Sequence, residues 1–143
     1  AVIFDLDGTL LDTESLSCRA VIEAFDISQY HPHIGSIPSA IRKELQSQGN
    51  LLPWELKKRI LGRRGTEWVP IVLGYAQEKW KVELFHDWKD GWESRCNINN
   101  GEESKEREEI IEEFMNAWEI RCGDLCAKHN QHPPKLKFDL GIF

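Results

Sequence analysis

The sequence predicts an α/β chain that is mostly α: one buried strand at the N-terminus, a helical stretch over residues 13–130 and a short tail over 131–143. Three observations predict it. Ala1, Val2, Ile3 and Phe4 form a near-continuous apolar run that stops at two carboxylates, Asp5 and Asp7, and a Gly8-Thr9 pair. A strand buried in a parallel sheet has that pattern, and its end is where α/β sheets hold their ligands. From Thr13 onward apolar residues recur at helical spacing between Pro and Gly punctuation. No second apolar run ends in a Ser or Thr at a strand tip, so the rest of a sheet, which needs several βαβ units of about 30 residues, is missing from this stretch.

Composition narrows the classes. The chain has 143 residues, 41% apolar and 29% charged, one domain's worth by the usual prior of roughly 150 residues and enough to bury a core. No apolar run approaches the roughly 20 residues a membrane helix needs. With 18 basic against 24 acidic side chains and a net charge of −6, the chain lacks the basic balance of a nucleic-acid partner, which leaves small molecules or proteins. The four cysteines, Cys18, Cys96, Cys122 and Cys126, are too few for a disulfide scaffold, and free thiols in the cytoplasm are the expectation. The chain opens at Ala1, inside the apolar run and without an initiator Met, so we expect the natural N-terminus to lie upstream.

The N-terminal loop carries the chemistry. Asp5 and Asp7, one residue apart, can bring a side-chain oxygen and a backbone carbonyl to one hard divalent cation. Gly8 permits a turn closed to residues with a Cβ, and Thr9 offers a hydroxyl and an N–H to phosphate oxygens. The plain alternative is an Asx-type turn after a strand. The match is longer than such a turn: FDLDGTLLDTE, Phe4 to Glu14, resembles position by position the first signature of the haloacid dehalogenase-like (HAD-like) hydrolases, an α/β superfamily with a Rossmann-like core. The resemblance implies that Asp5 is the nucleophile, forming an aspartyl-phosphate, and that Asp7 protonates the leaving alcohol and then activates water. It further implies Mg²⁺ held by the Asp5 carboxylate and the Asp7 carbonyl, with Gly8 and Thr9 on the phosphate. A carboxylate can attack phosphorus only once a cation offsets the repulsion between two anions, and splitting hydrolysis into two steps lowers each barrier.

The helical elements follow in order. Leu16, Ala20, Val21, Ala24 and Phe25 predict a helix from about Thr13 to Phe25, with Asp12, Thr13 and Ser15 as capping candidates. Tyr30 to Ser36 is a Pro/Gly/His loop in which His31 and His33 are read as exposed rather than as ligands. A short helix is predicted over Pro38 to Gln48, stopped by Gly49, and residues 31–50 look inserted relative to the family pattern. Pro53 suits a first helical position and Gly62 a left-handed stop, so a two-turn helix ends at Gly62 and another starts with Thr66 as N-cap. Arg63 and Arg64 fall between them, either as an anion clamp before a helix N-terminus or as a solvated basic corner. Leu-Pro-Trp-Glu-Leu-Lys and the stretch Gly62 to Glu67 resemble the helical cap of the β-phosphoglucomutase and sugar-phosphatase branch, including pseudouridine-5′-phosphatase-like members. That likeness implies that Gly62, Arg63, Arg64 and Glu67 contact substrate.

Apolar residues from Trp68 to Trp80 predict one helix with Pro70 in its first turn, and Val82, Leu84, Phe85, Trp88 and Trp92 extend the rhythm to about Arg95. Core packing is the first reading of this aromatic stripe, sugar stacking the second. After Asn97 to Gly101 an acidic start, Glu102 to Glu113, opens a long helix with an apolar face of Ile111, Phe114, Trp118, Cys122 and Leu125. Acids at a helix N-terminus complement its dipole and read as a solvated face. Trp92-Glu-Ser-Arg-Cys96 and Trp118-Glu-Ile-Arg-Cys122 echo each other. Cys122, Cys126, His129 and His132 have helical spacing, yet structural zinc usually draws on two separated knuckles, so buried thiols are preferred. Leu136 to Phe143 alternates enough for one strand.

The family's Ser/Thr, Lys and acidic-pair signatures have no counterpart, since Ser104, Lys135, Lys137 and Asp139 lack the context. The expected function is therefore a Mg²⁺-dependent phosphatase of a small phosphorylated sugar or nucleoside, truncated and weakly active or inactive alone. The alternative is a non-catalytic helical module, or degenerate family member, that binds a protein.

Overall fold

A computed structural model describes residues 13–27, 33–84 and 101–131, with the side chains of residues 13, 14, 101–104 and 129–131 left aside. Five helices make up this part: α1 (Thr13–Ala24), α2 (Ser39–Ser47), α3 (Trp54–Ile60), α4 (Gly65–Lys79) and α5 (Gly101–Gln131). The mostly helical reading holds, and among the described residues the one β feature is an isolated antiparallel bridge between Ile34 and Leu84. The strand expected at Ala1 to Phe4, the loop with Asp5, Asp7, Gly8 and Thr9, the tail strand, Phe85 to Arg95, His31, Cys96 and His132 all lie outside the described residues.

The core forms where the apolar stripes of α1 and α5 meet. Val21, Ile22 and Phe25 from the α1 side and Ile110, Phe114 and Ala117 from α5 are buried. Phe25 and Phe114 sit with ring centroids 4.9 Å apart, and Trp80 meets Phe25 edge-on at 6.0 Å. Such tilted aromatic pairs add about 0.5–1.5 kcal/mol to the burial of the rings. α4 packs on α5, where the Trp68 ring meets Phe114 and Trp118, while Val69, Val72 and Leu73 of α4 and Leu56 of α3, the helix that closes on α4, are fully buried in the same core. α2 joins through buried Leu45 and an ion pair of Arg42 with Asp26 at 2.5 Å. The segment 31–50 that looks inserted therefore shares this core, since Ile34 and Ile37 are buried in it too.

Local chemistry explains the boundaries. Pro38 and Pro53 stand immediately before α2 and α3, and Gly49 and Gly62 follow their ends at φ of 81° and 71°. Pro53 thus precedes the helix, where its carbonyl accepts the Leu56 and Lys57 N–H groups. Thr66 is not the N-cap of α4. That helix starts at Gly65 because the Glu67 carboxylate accepts the Arg64 N–H at 3.2 Å, making Arg64 the cap. Pro70 consequently falls in the second turn, where it has no N–H to give the Thr66 carbonyl.

The largest correction concerns the helix expected to run on to Arg95. α4 stops at Lys79, the Val82 N–H turns back to the Ala76 carbonyl at 3.1 Å, and Lys81 takes a left-handed φ of 55°. Val82 is still buried, so the apolar rhythm continues while the helix does not. Beyond it the Gly35 N–H donates to the Glu83 carbonyl at 2.8 Å beside the Ile34–Leu84 bridge, clasping the end of α4 to the stretch before α2.

On α5 the acidic run behaves as a solvated face at Glu108, Glu109 and Glu112, while Glu113 is half-buried. His33 is half-buried in a turn rather than exposed.

Candidate functional site

The site is a cleft of about 250 Å³ where α1, the α3–α4 turn, the start of α4 and the middle of α5 converge. α1 supplies Ser17, Cys18 and Val21, residues brought to one side by helical spacing. Leu52 before α3, Ile60 at its last position and Leu61 just after it add apolar surface. Trp68 and Trp118 enter from α4 and α5 with centroids 5.4 Å apart and planes at 71°. The Trp118 indole N–H donates to the Ser17 carbonyl at 3.4 Å, tying α5 to the α1 wall.

Lys57 of α3 and Arg63 of the turn bring two cations to the cleft, and among the described residues none that lines it carries a carboxylate. Gly62 makes this arrangement feasible. At its φ of 71° the backbone takes a left-handed turn that glycine adopts without strain, and the Arg63 N–H returns to the Ile60 carbonyl at 3.2 Å. α3 is tied to α4 by Tyr75, whose hydroxyl donates to the Glu55 carboxylate of α3 at 2.8 Å. Burial and then that hydrogen bond push the Tyr75 phenol up to about 12.

The four cap residues singled out in the sequence separate. Gly62 and Arg63 line the cleft. Arg64 and Glu67 are exposed and not among the lining residues; they build the start of α4 through their backbone–carboxylate hydrogen bond. Asp5, Asp7, Gly8 and Thr9 lie outside the described residues, but Ser17 on the cleft wall follows Asp7 by only ten positions. Cys18, Lys57 and Trp118 were not legible as site residues, because no sequence spacing connects positions 18, 57 and 118.

Among the described residues no three His, Cys, Asp or Glu side chains converge to hold a metal ion. Cys122 is half-buried and Cys126 exposed; burial, with the neighbouring Cys126 and Glu119 adding to it, pushes the Cys122 thiol up to about 11. No helix among the described residues is long and apolar enough to cross a membrane. No family model, curated protein or solved structure matches the chain.

Proposed function

We propose that the chain carries the nucleophile loop and helical cap of a HAD-like hydrolase, a Mg²⁺-dependent phosphatase of small sugar or nucleoside phosphates. Asp5 forms the aspartyl-phosphate, and Asp7 gives a proton to the leaving alcohol and takes one from water. The observation that carries the reading is the cleft: the Gly62-Arg63 turn, marked by its likeness to the cap, lines a cavity against α1, the helix that follows the FDLDGTLLDTE loop in sequence. Arg63 and Lys57 offer charge-assisted hydrogen bonds to a phosphate dianion, and among the described residues no carboxylate lines the cavity. The Asp5 carboxylate and Asp7 carbonyl are hard oxygen donors of the kind Mg²⁺ takes, and the ion would offset charge on the phosphoryl oxygens.

Because the Ser/Thr, Lys and acidic-pair signatures are missing, phosphate and metal charge are poorly balanced and turnover by this chain alone is slow. The test is p-nitrophenyl phosphate turnover with Mg²⁺, together with mass analysis of the peptide containing Asp5, for wild type and Asp5→Asn. A weak turnover or phosphoryl increment that vanishes in Asp5→Asn supports the reading. Identical behaviour of the two proteins, with no phosphoryl increment, defeats it. Fast Asp5-dependent turnover keeps the phosphatase and overturns the incompleteness.

A second reading, a non-catalytic module that binds a protein, is favoured by Trp54, which is 67% exposed at the start of α3, and by Leu61, 56% exposed just past its end. Large exposed apolar residues mark interaction surfaces when they form a patch. In that reading Asp5→Asn is silent in every assay.

A further inference from the structure

Among the described tryptophans, Trp68, Trp80 and Trp118 pack in or against the core, whereas Trp54 stands exposed at the start of α3. Exposed Leu51 precedes it and exposed Leu61 follows the helix, which at seven residues is about 10 Å long. The same stretch is basic. Lys57, Lys58, Arg59, Arg63 and Arg64 fall within eight positions of a chain that has 18 basic residues in all, and Lys58, Arg63 and Arg64 are exposed. Lys58 follows Trp54 by four residues and so lies on the same side of α3. The carboxylate of α3, Glu55, is engaged by the Tyr75 hydroxyl.

α5 carries the opposite surface. Glu108, Glu112 and Glu119 are exposed and recur at helical spacing on the side away from buried Ile110, Phe114 and Ala117. Ile120, 40% exposed, follows Glu112 by eight positions and adds an apolar side chain to that side. From Glu108 to Ile120 the sequence has no basic residue. Each surface thus sets apolar side chains among charges of one sign, the anatomy of a protein interface, and the two signs are opposite. α3 packs on α4 and is not among the helices that pack on α5, so within one chain neither surface neutralises the other.

We propose that the α3 patch docks on the acidic face of α5 in a second copy of this chain, with Trp54 and Leu61 against Ile120, and Lys58 and Arg64 against Glu112 and Glu119. Charge selects the partner. At a net charge of −6 the chain as a whole repels a nucleic acid or an anionic membrane, and it repels a second copy in most orientations; the pairing of patch with face is the attractive one. Two complementary surfaces on one chain either meet twice around a twofold axis and close a dimer, or meet once and extend. A patch built on a two-turn helix is small, so the association is weak and depends on its aromatic anchor, Trp54. The proposal names the partner for the exposed residues that favour the protein-binding reading. It stands whether or not the chain turns over phosphate, and Asp5→Asn leaves it unchanged.

The test is sedimentation equilibrium of the full 143-residue chain from low micromolar to several hundred micromolar. The expected result is a mass that rises with concentration, with association at least about tenfold weaker in high salt, where surface charges are screened. Trp54→Ser should weaken it by at least about tenfold as well. Lys58→Glu with Arg64→Glu, and separately Glu112→Lys with Glu119→Lys, should each give a monomer. Mixing these two proteins should restore association, because each then offers the sign the other lacks, and restoration separates charge pairing from a loss of fold. Should a charge variant fail to fold, the salt series and Trp54→Ser decide. A monomer at every concentration overturns the proposal; if that monomer binds poly-L-glutamate in a Lys58-dependent way, the patch serves an acidic partner other than this chain. Self-association indifferent to salt and to Trp54→Ser, or folded charge variants that stay monomeric on mixing, overturns the pairing of these two surfaces.

Discussion

Replacing Gly62 with Ala isolates a backbone effect at the turn that lines the cleft. Gly62 has a φ of 71°, and a Cβ built there meets no atom within 4 Å. The substitution therefore adds no clash, and its whole cost is conformational. A left-handed backbone costs an L-residue about 1–2 kcal/mol. Against this, Ala restricts the unfolded chain and returns roughly 0.4–1 kcal/mol. The expected net loss is about 1 kcal/mol, read in urea unfolding as a lower midpoint at unchanged slope. Asn, which tolerates the left-handed region, should recover part of it. Gly123 on α5 is the matched control: its surroundings are equally open, but it is helical and not among the positive-φ glycines. Gly123→Ala should raise stability by about 0.5–1 kcal/mol. Stability of Gly62→Ala at or above wild type, with Gly123→Ala behaving as expected, would refute the assignment of strain to residue 62.

Two further outcomes are expected from the core and the thiols. Phe114 is fully buried between Phe25 and Trp68, so Phe114→Ala should lose about 3–5 kcal/mol in chemical denaturation, and Phe114→Leu clearly less; a loss under about 1 kcal/mol for the Ala variant would contradict the packing. Cys122 favours its neutral form in the fold, since its thiol is pushed up from 9.0 to about 11. The stability it confers is complete below pH 9, is lost as pH rises from there through about 11, and should be absent in Cys122→Ala. Peptide-resolved alkylation at pH 8 should mark exposed Cys126 before Cys122, and the reverse order would contradict the burial.

The helices were legible wherever the chain carries its own punctuation. Thr13 to Phe25, Pro38 to Gly49 and Pro53 to Gly62 each bracket an apolar stripe with residues whose backbone preferences force a start or a stop, and α1, α2 and α3 fall within a residue or two of those limits. α4 was misjudged at both ends for one reason. Arg64 caps by lending its N–H to Glu67, and Lys81 stops the helix in a left-handed conformation normally left to Gly or Asn, so neither residue type announces its job. Trp80 and Val82 kept the apolar rhythm alive past Lys79 because both are buried, one at the cap of α4 and one beyond it. At the site, the Gly62-Arg63 turn could be found because it is contiguous. The rest of the cleft gathers residues 17, 18, 21, 52, 57, 68 and 118 among others, and only three-dimensional packing joins positions so far apart in sequence.

The clasp between Gly35 and Glu83 has a lopsided tolerance for change. It closes a circuit of about fifty residues containing α2, α3 and α4, and the entropy of closing such a circuit rises only with the logarithm of its length, about 0.6 kcal/mol per doubling. Extra residues spliced into the connection between α2 and α3 should thus be nearly silent. A single methyl on Gly35 would arrive 2.8 Å from the Glu83 carbonyl oxygen, prising the two ends apart, so the smallest edit on this circuit is the one it can least accommodate.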